Sequence, residues 1–176
     1  IQKNVGFNRS FYMSDKEVSV GDFAKFDPTV SGNQANSVSS ISWNQAALFC
    51  NWLSLNEGFS PFYLVEESIV VGVNENSIGD RLPSEAEWEF VAKYANKRSP
   101  TIFTWGDDYE VGDQAGNIAD ASAADIAVRN LTEYNDGQKN VASSGSYARE
   151  TSGMYDLSGN LSEFTNDLYS ISPLDS

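Results

Sequence analysis

Arg81-Leu82-Pro83-Ser84-Glu85-Ala86-Glu87-Trp88-Glu89-Phe90 is the stretch from which the rest of the chain can be read. Ser84 and Glu87 have the spacing of a capping box, in which each side chain accepts from the other residue's backbone N–H at the start of a helix. Pro83 stands just before it, and the acidic residues that follow suit the positive end of a helix. Trp88, Val91, Ala92 and Ala95 then recur at i, i+3, i+4 and i+7, one apolar face of a helix that should end near Asn96, before Pro100. Glu85, Glu87 and Glu89 are read as dipole partners and surface charge, not as a catalytic carboxylate pair.

Upstream, Ser42-Trp43-Asn44-Gln45 is a second capping box. Ala46, Phe49, Cys50 and Leu53 continue it as an amphipathic helix, with Gly58 as a natural stop. Cys50 lies on the buried stripe and reads as a core thiol. Phe62 to Val73 is rich in β-branched and aromatic residues, which predicts two short strands or one strand with a bulge; a turn-rich loop follows over Asn74–Asp80. Nearer the start, Phe11-Tyr12-Met13 and Lys16-Glu17-Val18 read as short extended pieces. Ser19 and Asp22 then cap a short helix whose inner face is Val20, Phe23 and Ala24, ending near Pro28, and a Ser/Asn/Gly loop runs from Ser31 to Ser40.

After Trp105-Gly106-Asp107 the pattern loosens. Gly, Asn, Asp, Ala and Ser dominate to about Ser146 without a period, and a stretch this long needs something other than a hydrophobic face to hold it. Bound cations are one answer. The run Gly153-Met154-Tyr155-Asp156-Leu157-Ser158-Gly159-Asn160-Leu161-Ser162-Glu163-Phe164 gathers carboxylate, amide and backbone oxygens on an irregular segment, the supply that Ca²⁺ takes. An ordinary Gly/Asn/Ser turn between apolar pieces is the alternative.

Composition narrows the chemistry. At 176 residues with 40% hydrophobic content, the chain is long enough and apolar enough for one domain with a core, and no repeat, linker or second domain is visible. A net charge of −14 repels phosphate backbones and attracts cations, which argues against nucleic acid as a partner and suits a secreted or salt-exposed protein. Histidine is absent, which excludes His-based acid–base chemistry and His-ligated zinc or iron. Cys50 is the sole cysteine, so neither an internal disulfide nor a Cys-rich metal site can form. No apolar run is long enough to span a bilayer. Ile1 is neither an initiator Met nor part of a signal peptide, which suggests a trimmed start, and the tail from Ser170 to Ser176 reads as a loop or a cut end.

Five motifs together resemble one family. Met13–Phe26 is similar to its opening E-V-T-N-x-x-Y-x-x-F segment, and Ile41-Ser42-Trp43-Asn44-Gln45-Ala46 through Leu53 resembles its V-S-W-x-D-A-x-x-Y-C-x-W-L helix. Arg81–Phe90 is similar to R-L-P-T-E-A-E-W-E-Y, Thr104–Asp107 to P-W-G-D, and Gly153–Phe164 to G-L-Y-D-M-x-G-N-V-W-E-W. The family is that of the sulfatase-modifying-factor, or formylglycine-generating-enzyme-like, domain. The resemblance runs in order over Met13–Asp167. It implies an α+β fold, a loop-rich variant of the C-type-lectin-like fold with two main helices on twisted antiparallel sheets. It also implies that 1–176 is a single such domain lacking the family's C-terminal part.

The family enzyme oxidises a sulfatase cysteine to formylglycine with a C-terminal cysteine pair, copper and O₂. That pair and the R-G-G-S-W strand are absent here, and Cys50 matches a structural cysteine. Ser162 stands where the family has a cleft tryptophan. Catalytic residues and copper are therefore not expected. The resemblance carries calcium-ligand roles onto Asp156, Gly159, Leu161 and Glu163, with Asp156 and Glu163 through side chains and Gly159 and Leu161 through carbonyls. A second calcium site falls on Asn117, Ile118, Asp136 and Gln138, the last through its backbone oxygen.

Two functions follow as expectations. The first is a non-catalytic, calcium-stabilised module that binds a protein partner or surface component in a bacterial surface or secretion assembly, hence extracytoplasmic. The second is part of an active formylglycine-generating oxidase whose cysteine pair lies beyond residue 176. The related His-iron sulfoxide synthases are disfavoured, because their histidines are missing. Trp43, Trp52, Trp88 and Trp105 read as packing groups rather than a sugar platform. The sequons at Asn8, Asn130 and Asn160 are of a kind that arises often by chance.

Overall fold

A computed structural model of the chain describes Gly6, Phe7 and residues 9–167. Ile1, Asn8 and the tail from Ser170 to Ser176 lie outside the described residues. The elements are α1 (Val20–Phe23), α2 (Trp43–Glu57), β1 (Tyr63–Glu66), β2 (Ile69–Val73) and α3 (Glu85–Lys93), with a 3₁₀ turn at Ala121–Ala123. The chain divides into two compact units. One comprises 1–40 and 89–162, the other 41–88 and 163–176, with a division that falls inside α3 between Trp88 and Glu89.

The unit 41–88 and 163–176 is built on α2 and a hairpin. Both halves of the first capping box form: Gln45 N–H donates to Ser42 Oγ (3.2 Å) and Ser42 N–H donates to Gln45 Oε1 (2.9 Å). The helix stops at Gly58, whose φ of 81° is costly for residues with a Cβ. Its buried face holds Ala46, Ala47, Phe49 and Cys50, with Leu53 only half-buried. Asn51 and Ser54 take the remaining buried places because they serve neighbouring backbone. Asn51 donates to Tyr63 C=O (2.8 Å) and accepts from Tyr63 N–H (2.9 Å), while Ser54 Oγ accepts from Asp80 N–H (2.7 Å).

β1 and β2 pair antiparallel with a bulge beside Leu64 and Val65, and Glu67 and Ser68 turn the hairpin with positive φ at both positions. Both readings of Phe62–Val73 are therefore met at once, a strand pair and a bulge. Ala47, Cys50, Phe62 and Tyr63 form the core, with Trp43, Val70, Val73 and Leu82 packed on it. Burial, reinforced by Asp80, pushes the Cys50 thiol up to about 12, so it stays protonated and unreactive.

The second capping box also forms: Glu87 N–H donates to Ser84 Oγ (3.2 Å), and Ser84 N–H donates to Glu87 Oε2 (2.8 Å). The same carboxylate takes two hydrogen bonds from Arg81, at 2.7 and 2.8 Å. α3 ends at Lys93 rather than near Asn96, because Ala95 N–H reaches back to Phe90 C=O and Asn96 turns left-handed at φ 57°. Within this unit the 163–167 segment is held by backbone and rings. Trp43 Nε1 donates to Thr165 C=O (2.8 Å), Tyr63 Oη to Asn166 Oδ1 (2.9 Å), and Asn166 N–H to Pro83 C=O (2.8 Å).

In the other unit, Ser19 caps α1 as expected and Val20 and Phe23 are buried, but the helix ends at Phe23 and not near Pro28. The extended pieces expected at 11–13 and 16–18 form no strand. Their neighbourhood is tied by single bridges instead, such as Ser19 with Ser37 and Asn36 with Ser143. The α+β class holds, while among the described residues the expected sheets reduce to one two-stranded sheet and isolated bridges.

Asn51→Ala should cost about 2–4 kcal/mol in urea unfolding, since it strips partners from two buried backbone groups of Tyr63. Arg81 holds the Glu87 carboxyl below its usual range, against the opposing effect of burial. A depressed folded-state pKa contributes stability that is present above the unfolded carboxylate range and lost as pH falls through the folded value. Wild type should therefore exceed Glu87→Gln in stability at about pH 7, with the difference shrinking as the pH falls below the ordinary carboxylate range in matched urea titrations.

Candidate metal centre

The aperiodic half of the chain satisfies its backbone through side-chain oxygens. Asp120 is fully buried and starts the 3₁₀ turn, accepting from Ser122 N–H (2.7 Å), Ser122 Oγ (2.6 Å) and Asp136 N–H. Burial alone would raise its pKa, but these hydrogen bonds outweigh it and hold the carboxyl below its ordinary range. Asp136 repeats the device, accepting from Ile118 N–H (2.9 Å) and Gln138 N–H (2.6 Å). Ile118 and Gln138, separated in sequence, thus meet at the Asp136 carboxylate, while Asn117, next to Ile118 in the chain, bonds Asn140 C=O and Asn160 instead. Gln138 C=O is 2.7 Å from Ser122 Oγ.

A second knot crosses the first. Asn160 N–H donates to Asn117 C=O (2.7 Å), and Asn117 Nδ2 donates to Asn160 Oδ1 (2.9 Å). Asn160 also accepts from Ala142 N–H (2.8 Å) and donates to Glu17 Oε2 (2.5 Å) and Ser37 Oγ (3.1 Å). The two backbones touch so closely that a Cβ on Gly116 would lie 1.8 Å from Ser158 C=O, and one on Gly159 2.0 Å from Asn117 C=O. Asp156 and Asn160 are left-handed, at φ 58° and 56°, and Gly159 is at 87°.

Asp156 is 3% exposed. One of its carboxylate oxygens accepts from Gly145 N–H; the other, Oδ1, is buried with no donor at hydrogen-bonding geometry. Burial pushes this carboxyl up, offset in part by the Gly145 and Tyr147 N–H groups. Gly159 lies at the crossing and Leu161 just after it, half-buried. Glu163 falls in the other unit, where Trp88 Nε1 donates to its carboxylate. Nearby, Glu150 is raised by burial and its Oε2 has no partner, as is true of the buried Tyr147 hydroxyl. Among the described residues no three of His, Cys, Asp and Glu converge, so any ion here would draw mainly on amide and carbonyl oxygens.

Sequence reading missed Asn160 and Asp120. Asp120-Ala121-Ser122 carries the signal of a side chain that bonds its own backbone two residues on. Asn160 had only its place after Gly159.

Comparison with known proteins gives the family. A model of the sulfatase-modifying factor enzyme 1-like domain matches residues 2–174. The chain belongs to this family. A curated relative, the chaperone protein LppX of Paenibacillus barcinonensis, is 25% identical over 86% of the chain and 64% of its own length. The formylglycine-generating enzyme of Bos taurus is 26% identical over 82% of the chain, but only 30% of that enzyme is covered. The chain thus spans just under two thirds of the first relative and under a third of the second. Two solved structures share the fold: CarF, with a TM-score of 0.64 at 20% identity over 90% of the chain and 69% of CarF, and Treponema denticola variable protein 1, with 0.67 at 19% over 91% and 63%. The motif order read in the sequence is therefore that of a sulfatase-modifying-factor-like domain.

Gly159→Ala and Gly116→Ala should each destabilise this domain by about 3 kcal/mol or more, and Gly112→Ala, whose Cβ meets open space, should stay within about 0.5 kcal/mol. Chemical denaturation of the three variants measures the difference.

Proposed function

We propose that this sulfatase-modifying-factor-like domain is a non-catalytic module, stabilised by one or two Ca²⁺ ions, that binds a protein partner or surface component. The observation that carries this reading is Asp156 Oδ1, a buried carboxylate oxygen without a hydrogen-bond donor, in a carboxyl that the Gly145 and Tyr147 N–H groups and Lys16 compensate only in part. A buried charged oxygen left so is costly unless it meets a cation or a proton. Asp156 would hold the first ion with the carbonyls of Gly159 and Leu161, the members of that ligand set that share its unit. Asn117, Ile118, Asp136 and Gln138 would hold the second. The donor set is all oxygen, as Ca²⁺ requires, and the ion supplies charge compensation and cross-linking rather than chemistry.

Binding is favoured over turnover on two grounds. Cys50, the sole cysteine, is buried and protonated at neutral pH, and histidine is absent. The Paenibacillus relative is named a chaperone. Weak calcium modules work where the ion is abundant, which favours an extracytoplasmic setting such as a surface or secretion assembly. No helix among the described residues is long and apolar enough to cross a membrane. Similarity to formylglycine-generating enzymes keeps a second reading, part of an oxidase whose cysteine pair follows Ser176. Activity on a sulfatase peptide by the gene's whole product would favour it.

Calcium should raise the melting temperature. Saturation at a hundredfold above Kd adds about 2.7 kcal/mol, or about 5–10 °C for a domain of this size. Asp156→Asn should reduce the response to Ca²⁺ to that of the second site alone, yet melt no lower than wild type in chelator, because it removes a buried charge. An identical melt of wild type in chelator and in calcium contradicts the reading.

A further inference from the structure

The hairpin presents one face to α2, and no described residue covers the other. Val70 and Val73 pack on the core, and Val65, paired with Val70, shares their face, whereas Leu64, Ile69 and Val71 on the other face remain 49, 61 and 55% exposed. Three large aliphatic side chains thus stand exposed on one face of a nine-residue hairpin, an apolar surface of the kind that marks an interaction site. The hairpin is held rigid from behind. Asn44 accepts from Val70 N–H (2.9 Å) and donates to Ser68 C=O (2.9 Å), and Asn51 brackets Tyr63. A surface fixed in this way loses little entropy on docking.

The charge around the patch has one sign. Residues 41–80 contain Glu57, Glu66, Glu67, Glu75 and Asp80 and neither lysine nor arginine. Glu66, Glu67 and Glu75 are exposed and form no ion pair among the described residues. Arg81, the next cation, is occupied with Glu87 and lies 5.7 Å from the centre of the Phe62 ring. Exposed strands in soluble proteins are commonly guarded by lysine, and here only carboxylates stand guard. A second copy of this chain would bring the same acidic rim against itself, and anionic lipid or nucleic acid would be repelled in the same way.

We propose that the outer face of the β1–β2 hairpin docks a segment of a partner protein that alternates apolar residues with lysine or arginine. The aliphatic side chains would seat on Leu64, Ile69 and Val71, and the cations would meet Glu66, Glu67 and Glu75. This deepens the binding-module reading and rests on it.

The test uses the whole chain, isotope-labelled, titrated with a short peptide of alternating lysine and valine and with its glutamate–valine counterpart. Amide shifts should cluster on 63–73 for the lysine peptide alone, and the affinity should fall as salt rises. The double substitution Ile69→Lys/Val71→Lys should weaken binding by about tenfold or more with the melting temperature unchanged. Shifts elsewhere, equal binding of the glutamate peptide, or an unaffected double variant would overturn the proposal. So would a wild-type dimer in sedimentation that the double variant dissolves, since a second copy would then be the occupant. Calcium dependence of the melt is unaffected by any of these results, so the hairpin inference and the calcium reading fail separately.

Discussion

The crossing of residues 116–118 with 158–160 is the constraint on which the aperiodic half depends. Two backbones meet there without room for a single Cβ, and Asn117 and Asn160 bond each other through main chain and side chain. Asn160 then reaches Ala142, Glu17 and Ser37, so one side chain ties together four separated parts of its unit. Hydrogen bonds of this kind are each modest in net worth. Their loss is expensive, because the groups they satisfy are shielded from water.

The two units are stabilised by different physics. In 41–88 and 163–176, a capped helix and a hairpin bury Cys50, Phe62 and Tyr63, and hydrophobic burial is the main favourable term. In 1–40 and 89–162 few large side chains are fully buried, and aspartates do the work that strands do elsewhere by accepting backbone N–H groups. This gives the strongly acidic composition a structural meaning. Part of the negative charge is internal scaffolding: Asp120 and Asp136 spend their carboxylates on backbone N–H groups.

What the sequence revealed follows from the range of the forces involved. Capping boxes at Ser42 and Ser84, the stop at Gly58, the burial of Cys50 and the β character of 62–73 are set by residues within a few positions of one another, and all appear in the structure. The early end of α3 was not legible, since it depends on the turn at Asn96 rather than on the apolar stripe, which runs on to Ala95. The pieces at 11–13 and 16–18 looked extended from composition alone, yet their pairing stops at one bond from Val38 N–H to Val18 C=O and the neighbouring Ser19–Ser37 bridge, too little for a strand. Asp136 could be placed beside Asn117 and Ile118 only through resemblance to a family, because nothing in local spacing links residues eighteen positions apart. Asn160 was invisible for the same reason: its partners are Asn117, Ala142, Ser37 and Glu17.

Native-state amide hydrogen exchange tests the central claim most directly. If side-chain oxygens and the Asn117–Asn160 crossing hold the aperiodic half, then the amides of Ile118, Asp136, Gly145 and Asn160 should exchange as slowly as the core amides of α2, with protection near that of global unfolding. Exchange of these four amides at rates typical of open loops, while α2 stays protected, would contradict the account.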